Sequence, residues 1–123
     1  MSEIQQLKAD ASFILSEAAG HRSRDNIIIA SGAGVVPPGT VLGRVTIGGK
    51  YLPAIAAAVD GSGLGVAINI YGVDATTADV AVAAIVRDAE VNKHELGYDA
   101  SVNDDPKKAT QNASLVTAGI IPR

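Results

Sequence analysis

The chain consists of short apolar runs separated by glycine- and proline-rich breaks, a pattern typical of β-structure. The run at 80–87 alternates most regularly, with valines on one face and alanine or isoleucine on the other. The Gly-Gly pair at 48–49 predicts a hairpin, and the segment 31–40, rich in glycine and proline, predicts a loop. The predicted strands are 26–30, 41–46, 50–52, 64–71 and 80–87.

One helix is predicted near the end of the sequence. It begins at Asp104-Asp105-Pro106, where aspartate can cap and proline can occupy the first helical position, and it ends near Gly119. Residues 120–121 are expected to pack back on the sheet or to form a terminal strand. The sequence therefore predicts a mainly β fold, a small barrel-like domain with one short C-terminal helix.

The first 25 residues have a different pattern. Residues 1–12 contain only Ile4 and Leu7 as large aliphatic side chains, which is too few to build a core, so this stretch is expected to be loosely ordered in the free protein. The chain is accordingly divided into a flexible N-terminal arm, 1–25, and a β-rich domain, 26–123.

The arm carries an apolar triplet, Phe13-Ile14-Leu15, followed by a basic group, His21, Arg22 and Arg24. An exposed triplet that contains the only phenylalanine of the chain favours docking on a partner's groove or sheet edge, with the arginines as directional polar contacts. The alternative is a solvated tether whose charges serve solubility.

Composition limits the classes of partner. The hydrophobic content of 47% depends heavily on alanine, and tryptophan is absent, so the predicted core is lean and a homo-oligomer is expected. A net charge of −3 with interleaved signs, and 3% aromatic residues, argue against nucleic acid as a partner. No apolar run approaches a membrane span and no signal peptide is evident, so we expect a soluble protein made in a cytoplasm, without a membrane partner.

Candidate catalytic groups are weak. The best nucleophile-like grouping is Ser16 or Ser23 with His21 and Asp25. These residues lie in the predicted arm, whereas catalysis requires groups held in fixed positions. The polar loop at His94-Glu95 and Asp99 matches no established metal-ligand spacing, and cysteine is absent. We therefore expect no enzyme activity, cofactor or metal.

Several blocks of the sequence have a pattern specific enough to compare with known families. The segment Phe-Ile-Leu-Ser-Glu-Ala-Ala-Gly-His-Arg-Ser-Arg-Asp at 13–25 and the segment Val-Arg-Asp-Ala-Glu-Val-Asn at 86–92 are the specific ones. Pro-Gly-Thr-Val-Leu-Gly at 38–43, Gly-Lys-Tyr at 49–51 and the closing Ala-Gly-Ile-Ile-Pro-Arg support them. Together these blocks span nearly the whole chain in the right order, and they resemble the lambda-type bacteriophage head decoration proteins.

The resemblance implies a capsid-stabilising protein with a β-clip type domain, located on the outside of the virion. Such a protein forms homotrimers at the three-fold positions of an expanded icosahedral head, and its arm adds a strand to the major capsid protein. The docking segment carried over is Phe13, Ile14, Leu15, Ser16 and Glu17. The residues expected to fix the arm where it leaves the trimer are His21, Arg22 and Arg24.

The main alternative is a virion-surface β-barrel module that binds a host glycan or receptor. Sugar sites favour aromatic platforms flanked by polar groups. Here only Tyr51, Tyr71 and Tyr98 could serve, which makes this alternative weaker.

Overall fold

The computed structural model describes residues 11–56 and 58–123. Its helices are a 3-10 helix, Lys93–Glu95, and the α-helix α1, Asp105–Thr117. The strands, in chain order, are β1 (Ile14–Glu17), β2 (Arg24–Ile29), β3 (Gly34–Val36), β4 (Val41–Arg44), β5 (Tyr51–Pro53), β6 (Ala67–Asn69), β7 (Val73–Ala75), β8 (Val80–Ile85), β9 (Ala89–Val91) and β10 (Ile120–Pro122).

Five strands close into a barrel in the order β2-β5-β4-β6-β8. The longest pairing joins β2 and β8 in antiparallel register from Arg24–Ile85 to Ile29–Val80. Closure comes from a parallel contact between Ile29 of β2 and Tyr51 of β5. The predicted mainly β, barrel-like fold with one C-terminal helix is confirmed, and so is the β4–β5 hairpin.

The remaining strands form two smaller sheets beside the barrel sheet. In the three-stranded sheet, β9 lies between β1, which is antiparallel to it, and β10, which is parallel to it. The other sheet pairs β3 with β7. The prediction of a loop over 31–40 is wrong in part, because β3 forms inside it and hydrogen-bonds to a distant strand that the local pattern does not reveal.

Buried apolar residues form two clusters. The barrel cluster contains side chains from four barrel strands, with Tyr51 of the fifth packed against it, and comprises Ile27, Ile29, Val36, Leu42, Ala67, Ala75, Val82 and Ala84. The outer cluster comprises Phe13, Val41, Ala54, Ile68, Ile70, Ile85, Ala89, Val91, Leu96, Leu115 and Ile120. Consecutive residues of β4 and β8 belong to different clusters, so these strands are covered on both faces.

Helix α1 forms for the reasons that the sequence suggests. The Asp104 carboxylate accepts a hydrogen bond from the Lys107 amide at 2.9 Å, and Gly119 follows the helix with a φ of 92°, which favours glycine. Leu115 and Gln111 are its buried residues. Among the residues that the structure describes, no helix is long and apolar enough to cross a bilayer.

The described part of the predicted arm is built into the fold. Residues 1–10, with Ile4 and Leu7, lie outside the described residues. From residue 11 on, β1 pairs with β9 and Phe13 is 1% exposed. The expectation of an exposed Phe13 is wrong, because its ring fills the space between the three-stranded sheet and the barrel, where a distant part of the chain supplies the apolar contacts.

Candidate functional site

The candidate site is the surface around β1, an edge strand. Its one neighbour is β9, and within the described residues no strand pairs with the opposite edge of β1. An edge strand presents unpaired N–H and C=O groups that can accept an extended segment of another chain. The arrangement can therefore extend the three-stranded sheet by one strand.

Leu15 lies at an irregularity in this edge strand. Ile14 is opposite Val91 and Ser16 is opposite Glu90, so Leu15 is an extra residue without a partner on β9. Such a bulge re-aims the side chain that it contains. Leu15 is 55% exposed and is the large aliphatic side chain that the docking segment presents to solvent.

The other two apolar residues of the predicted docking segment point inward. Phe13 belongs to the outer cluster, and Ile14 is partly buried against it. The Phe13 carbonyl also accepts a hydrogen bond from the Asn92 amide at 2.7 Å. These residues anchor β1 to the fold. The docking surface of the strand therefore presents fewer apolar side chains than the sequence predicts.

Glu17 and Arg24 pair with each other across the turn that joins β1 to β2. Arg24 donates from Nε to Oε2 at 2.9 Å and from Nη2 to Oε1 at 2.7 Å. These hydrogen bonds hold the pKa of the Glu17 carboxyl below its ordinary value and raise that of Arg24. A bidentate pair of this kind fixes geometry, so both residues position the turn.

Ser23 stabilises the same turn from its buried side. It is fully buried, its hydroxyl donates to the Asp88 carbonyl at 2.8 Å, and it accepts from the Ala18 amide at 2.9 Å. His21 and Arg22 lie on the exposed side of the turn. Arg22 is 3.7 Å from the Asp88 carboxylate, with both side chains more than half exposed, so this contact is weak.

The face of β9 next to β1 carries a polar group that the sequence reasoning missed. The Glu90 carboxylate accepts from the Ser16 hydroxyl at 2.9 Å and from Nε of Arg123 at 2.8 Å. Both partners lower the pKa of Glu90, Arg123 more than Ser16. The apolar–charged–apolar order of Ala89-Glu90-Val91 is the signal that could have identified this strand.

The nucleophile-like grouping does not assemble. The Ser23 hydroxyl is bonded to Ala18 and Asp88, and that of Ser16 to Glu90. Asp25 accepts from Arg87 at 2.7 Å. Across the described ranges, no three histidine, aspartate or glutamate residues lie close enough together to hold a metal ion.

The tyrosines proposed for a glycan site are also engaged. Tyr98 donates its hydroxyl proton to Oδ1 of Asn112 at 2.6 Å, and the Lys108 ammonium lies 5.7 Å from its ring centroid. Burial raises the pKa of this tyrosine. Tyr51 is half-buried against the barrel cluster. Tyr71 is 46% exposed.

Comparison with known proteins identifies the family. The model of the family described as bacteriophage lambda head decoration protein D matches residues 4–120 of the 123-residue chain. A comparison with curated proteins found no match. The match includes all of β1 to β9 and α1, and therefore β1, its partner β9 and the turn between β1 and β2. The chain belongs to the bacteriophage lambda head decoration protein D family.

Proposed function

We propose that the protein binds the outside of the expanded phage head as a homotrimer and stabilises the capsid against the pressure of the packaged DNA. Membership of a head decoration family supports a structural role at the capsid. The observation that carries the proposal further is the open edge of β1, which offers a place for a strand of the major capsid protein.

The anchoring of β1 favours this role energetically. Ordering a free segment costs about 1–2 kcal/mol per residue in backbone entropy. Because Phe13 and the Glu17–Arg24 pair already hold β1 and its turn, that cost is met when the chain folds. The capsid strand then adds to a prepared edge, with Leu15 as its apolar contact.

Polar contacts of the proposed complex come from the turn beside β1. His21 and Arg22 are exposed there, whereas Arg24 is bonded to Glu17. His21 also lines a cleft of about 400 Å³ with Arg24, Asp25, Asn26 and Ala83. We assign His21 and Arg22 to contact with the capsid protein and Arg24 to positioning of the turn.

A trimer would strengthen a weak single contact. Once one copy is bound, the other two meet the lattice at high effective concentration, and avidity can exceed the affinity of one site by about 10²–10⁴. A trimer that grips several capsid subunits also resists their separation, because several contacts must break together. This accounts physically for stabilisation against outward pressure.

Cosedimentation with expanded heads that lack decoration protein tests the proposal. Saturable binding is expected for the full chain, and Leu15→Lys should reduce it at least tenfold, because lysine at an edge opposes strand pairing. Val116→Lys is the matched control, since Val116 is exposed to a similar extent on α1. Binding by Leu15→Lys at the wild-type level would contradict docking through β1, and no binding by the full chain would contradict the proposed function.

Removal of the first 25 residues would not separate loss of docking from loss of folding. It deletes Phe13 and β1 and so removes part of the outer cluster. A chain that begins at Ala11 keeps these residues and measures the contribution of residues 1–10 alone. Stabilisation itself is measured by heating DNA-filled heads, which should release DNA at a higher temperature when saturated with the protein.

A further inference from the structure

The two loops that flank β5 expose large aliphatic side chains. In the turn between β4 and β5, Ile47 is 89% exposed. In the connection from β5 to β6, Val59 is 100% exposed, Leu64 51% and Ile55 39%. We name these residues, Ile47, Ile55, Val59 and Leu64, the apolar tip. Apolar groups exposed together in a small protein mark an interaction surface.

Backbone contacts hold the two loops together. The Thr46 amide donates to the Asp60 carbonyl at 2.8 Å, which brings the neighbours of Ile47 and Val59 into contact. The Ala58 amide donates to the Ile55 carbonyl at 2.9 Å. A side chain at Gly61 would overlap Thr46, so the close approach of the loops requires glycine at this position. These backbone contacts therefore fix the positions of the two loops of the apolar tip.

The loops of the apolar tip carry few charges, and the guanidinium of Arg44 lies at their edge, against Gly49. Segments 45–49 and 55–65 contain one charged residue, Asp60. Its carboxylate accepts from the Ser62 amide at 3.0 Å and from the Ser62 hydroxyl at 2.5 Å, so it is bonded within its own loop. Ser62 in turn is buried against the backbone of Gly43. The Asp60 carboxylate is thus hydrogen-bonded by Ser62 of its own loop.

Three other exposed apolar residues have charged neighbours. Val35 is opposite Asp74 in the β3–β7 pair, and Ile121 is opposite Glu90 in the β9–β10 pair. Leu15 lies two residues from Glu17 on β1. These surfaces suit a partner with complementary charge, whereas Asp60, which adjoins Val59, is hydrogen-bonded within its own loop.

We propose that the apolar tip is the surface through which copies of this chain meet at the axis of the homotrimer. The inference rests on the proposed function, which supplies the trimer. Near a rotation axis each residue faces its own copies, so a charged residue there meets like charges, whereas an uncharged aliphatic residue meets another apolar side chain. Interfaces between identical chains have cores of this apolar, charge-poor composition.

Sedimentation equilibrium of the full chain tests this placement. The wild type should sediment with three times the chain mass, and Val59→Asp and Ile47→Asp should each raise the trimer dissociation constant at least 100-fold. Val116→Asp, on the exposed face of α1, is the matched control and should remain trimeric. Variants at Ile47 and Val59 that remain trimeric would overturn the inference without contradicting the proposed function.

Cysteine cross-linking provides a second measurement that does not weaken the interface. The chain has no cysteine, so Val59→Cys gives a single thiol per copy. With copper phenanthroline as oxidant, two thiols at the axis should join as an intermolecular disulfide, and Val116→Cys should not. Equal cross-linking at both positions would overturn the inference.

The outcomes separate this inference from the proposed function. A wild-type protein that is monomeric at all concentrations would overturn the homotrimer and the inference together. Tip variants that stay trimeric but no longer sediment with heads would assign the tip to the capsid and overturn the inference alone.

Discussion

The barrel cluster and the outer cluster differ in which parts of the chain build them. Members of the barrel cluster lie between Ile27 and Ala84, and many are small. The outer cluster extends from Phe13 to Ile120 and contains the larger side chains, among them Leu115. The middle of the chain thus forms the barrel cluster. The outer cluster packs segments near both ends of the chain, around Phe13 and Ile120, against barrel strands. The proposed docking edge depends on the second cluster.

This difference predicts two levels of stability. Contacts of the outer cluster join residues about 100 positions apart in sequence and carry the short strands β1 and β10, which are edges. Regions of this kind open more readily than barrel strands that are paired on both sides. Five substitutions test the comparison, in order of decreasing effect.

Replacement of Phe13 tests the outer cluster most severely. Phe13→Ala should lower the free energy of unfolding by about 3–5 kcal/mol, because it leaves a cavity under β1. Urea unfolding measures this loss, and hydrogen exchange shows where it falls. Exchange should accelerate in β1, β9 and β10 while β2 and β8 stay protected.

Leu42→Ala is the matched change in the barrel cluster, where Leu42 is fully buried. It should cost about 2–5 kcal/mol and accelerate exchange throughout the chain. If both variants give the same exchange pattern, the two clusters behave as one core and the comparison fails.

Gln111 links the helix of the outer cluster to the loop before β6. Its Oε1 accepts from the Gly65 amide at 2.6 Å, and its Nε2 donates to the Gly63 carbonyl at 2.8 Å. Gln111→Ala should cost about 2–4 kcal/mol in urea unfolding, because it leaves one buried and one partly buried backbone group unpaired. Thr110→Ala, on the exposed side of α1, is the control, and an equal, small effect of both changes would contradict the assignment.

Ser23 tests the turn between the two regions. Ser23→Ala should lower the free energy of unfolding by about 1–3 kcal/mol, because the Ala18 amide and the Asp88 carbonyl lose their partner. Ser16→Ala removes a hydroxyl from the exposed face of β1 and should change it by less than about 0.5 kcal/mol. Thermal unfolding of the two variants side by side decides the point.

Glu17 gives the smallest effect and a pH dependence. Its pKa is lowered in the folded state, so its contribution is present above the ordinary pKa of 4.5 and is lost as the pH falls through the folded value. Glu17→Gln should therefore cost about 1 kcal/mol at pH 6, and the difference should be smaller at pH 3. A difference that is equal at both pH values would exclude the ion pair as its cause.

The sequence predicted the elements whose evidence is local. Strand β8 has six alternating residues, and α1 has an aspartate cap, a proline in its first turn and a glycine after its end. Strands β3, β7 and β9 have three residues each, which is too short for a periodicity to show. They form because distant strands complete their hydrogen bonds.

The candidate site was predictable to a similar degree. The sequence placed Leu15, His21 and Arg22 at an accessible surface, and the structure leaves them exposed. It could not foresee that Phe13 is buried, because the residues that cover it, such as Val91 and Ile120, lie far along the chain. The docking role of Leu15, His21 and Arg22 stays a prediction.

The burial of Phe13 has a mechanical consequence. A pull transmitted through residues 1–12 reaches the Phe13 ring before it reaches the first rung of the β1–β9 ladder, at Ile14 and Val91. The tension would fall first on the contacts of Ala11 and Phe13, among them the hydrogen bond from the Ala11 amide to the Ile70 carbonyl, and only afterwards on the hydrogen bonds of an edge strand. The resistance of the proposed docking edge to such a pull would then depend on how tightly one aromatic ring is packed.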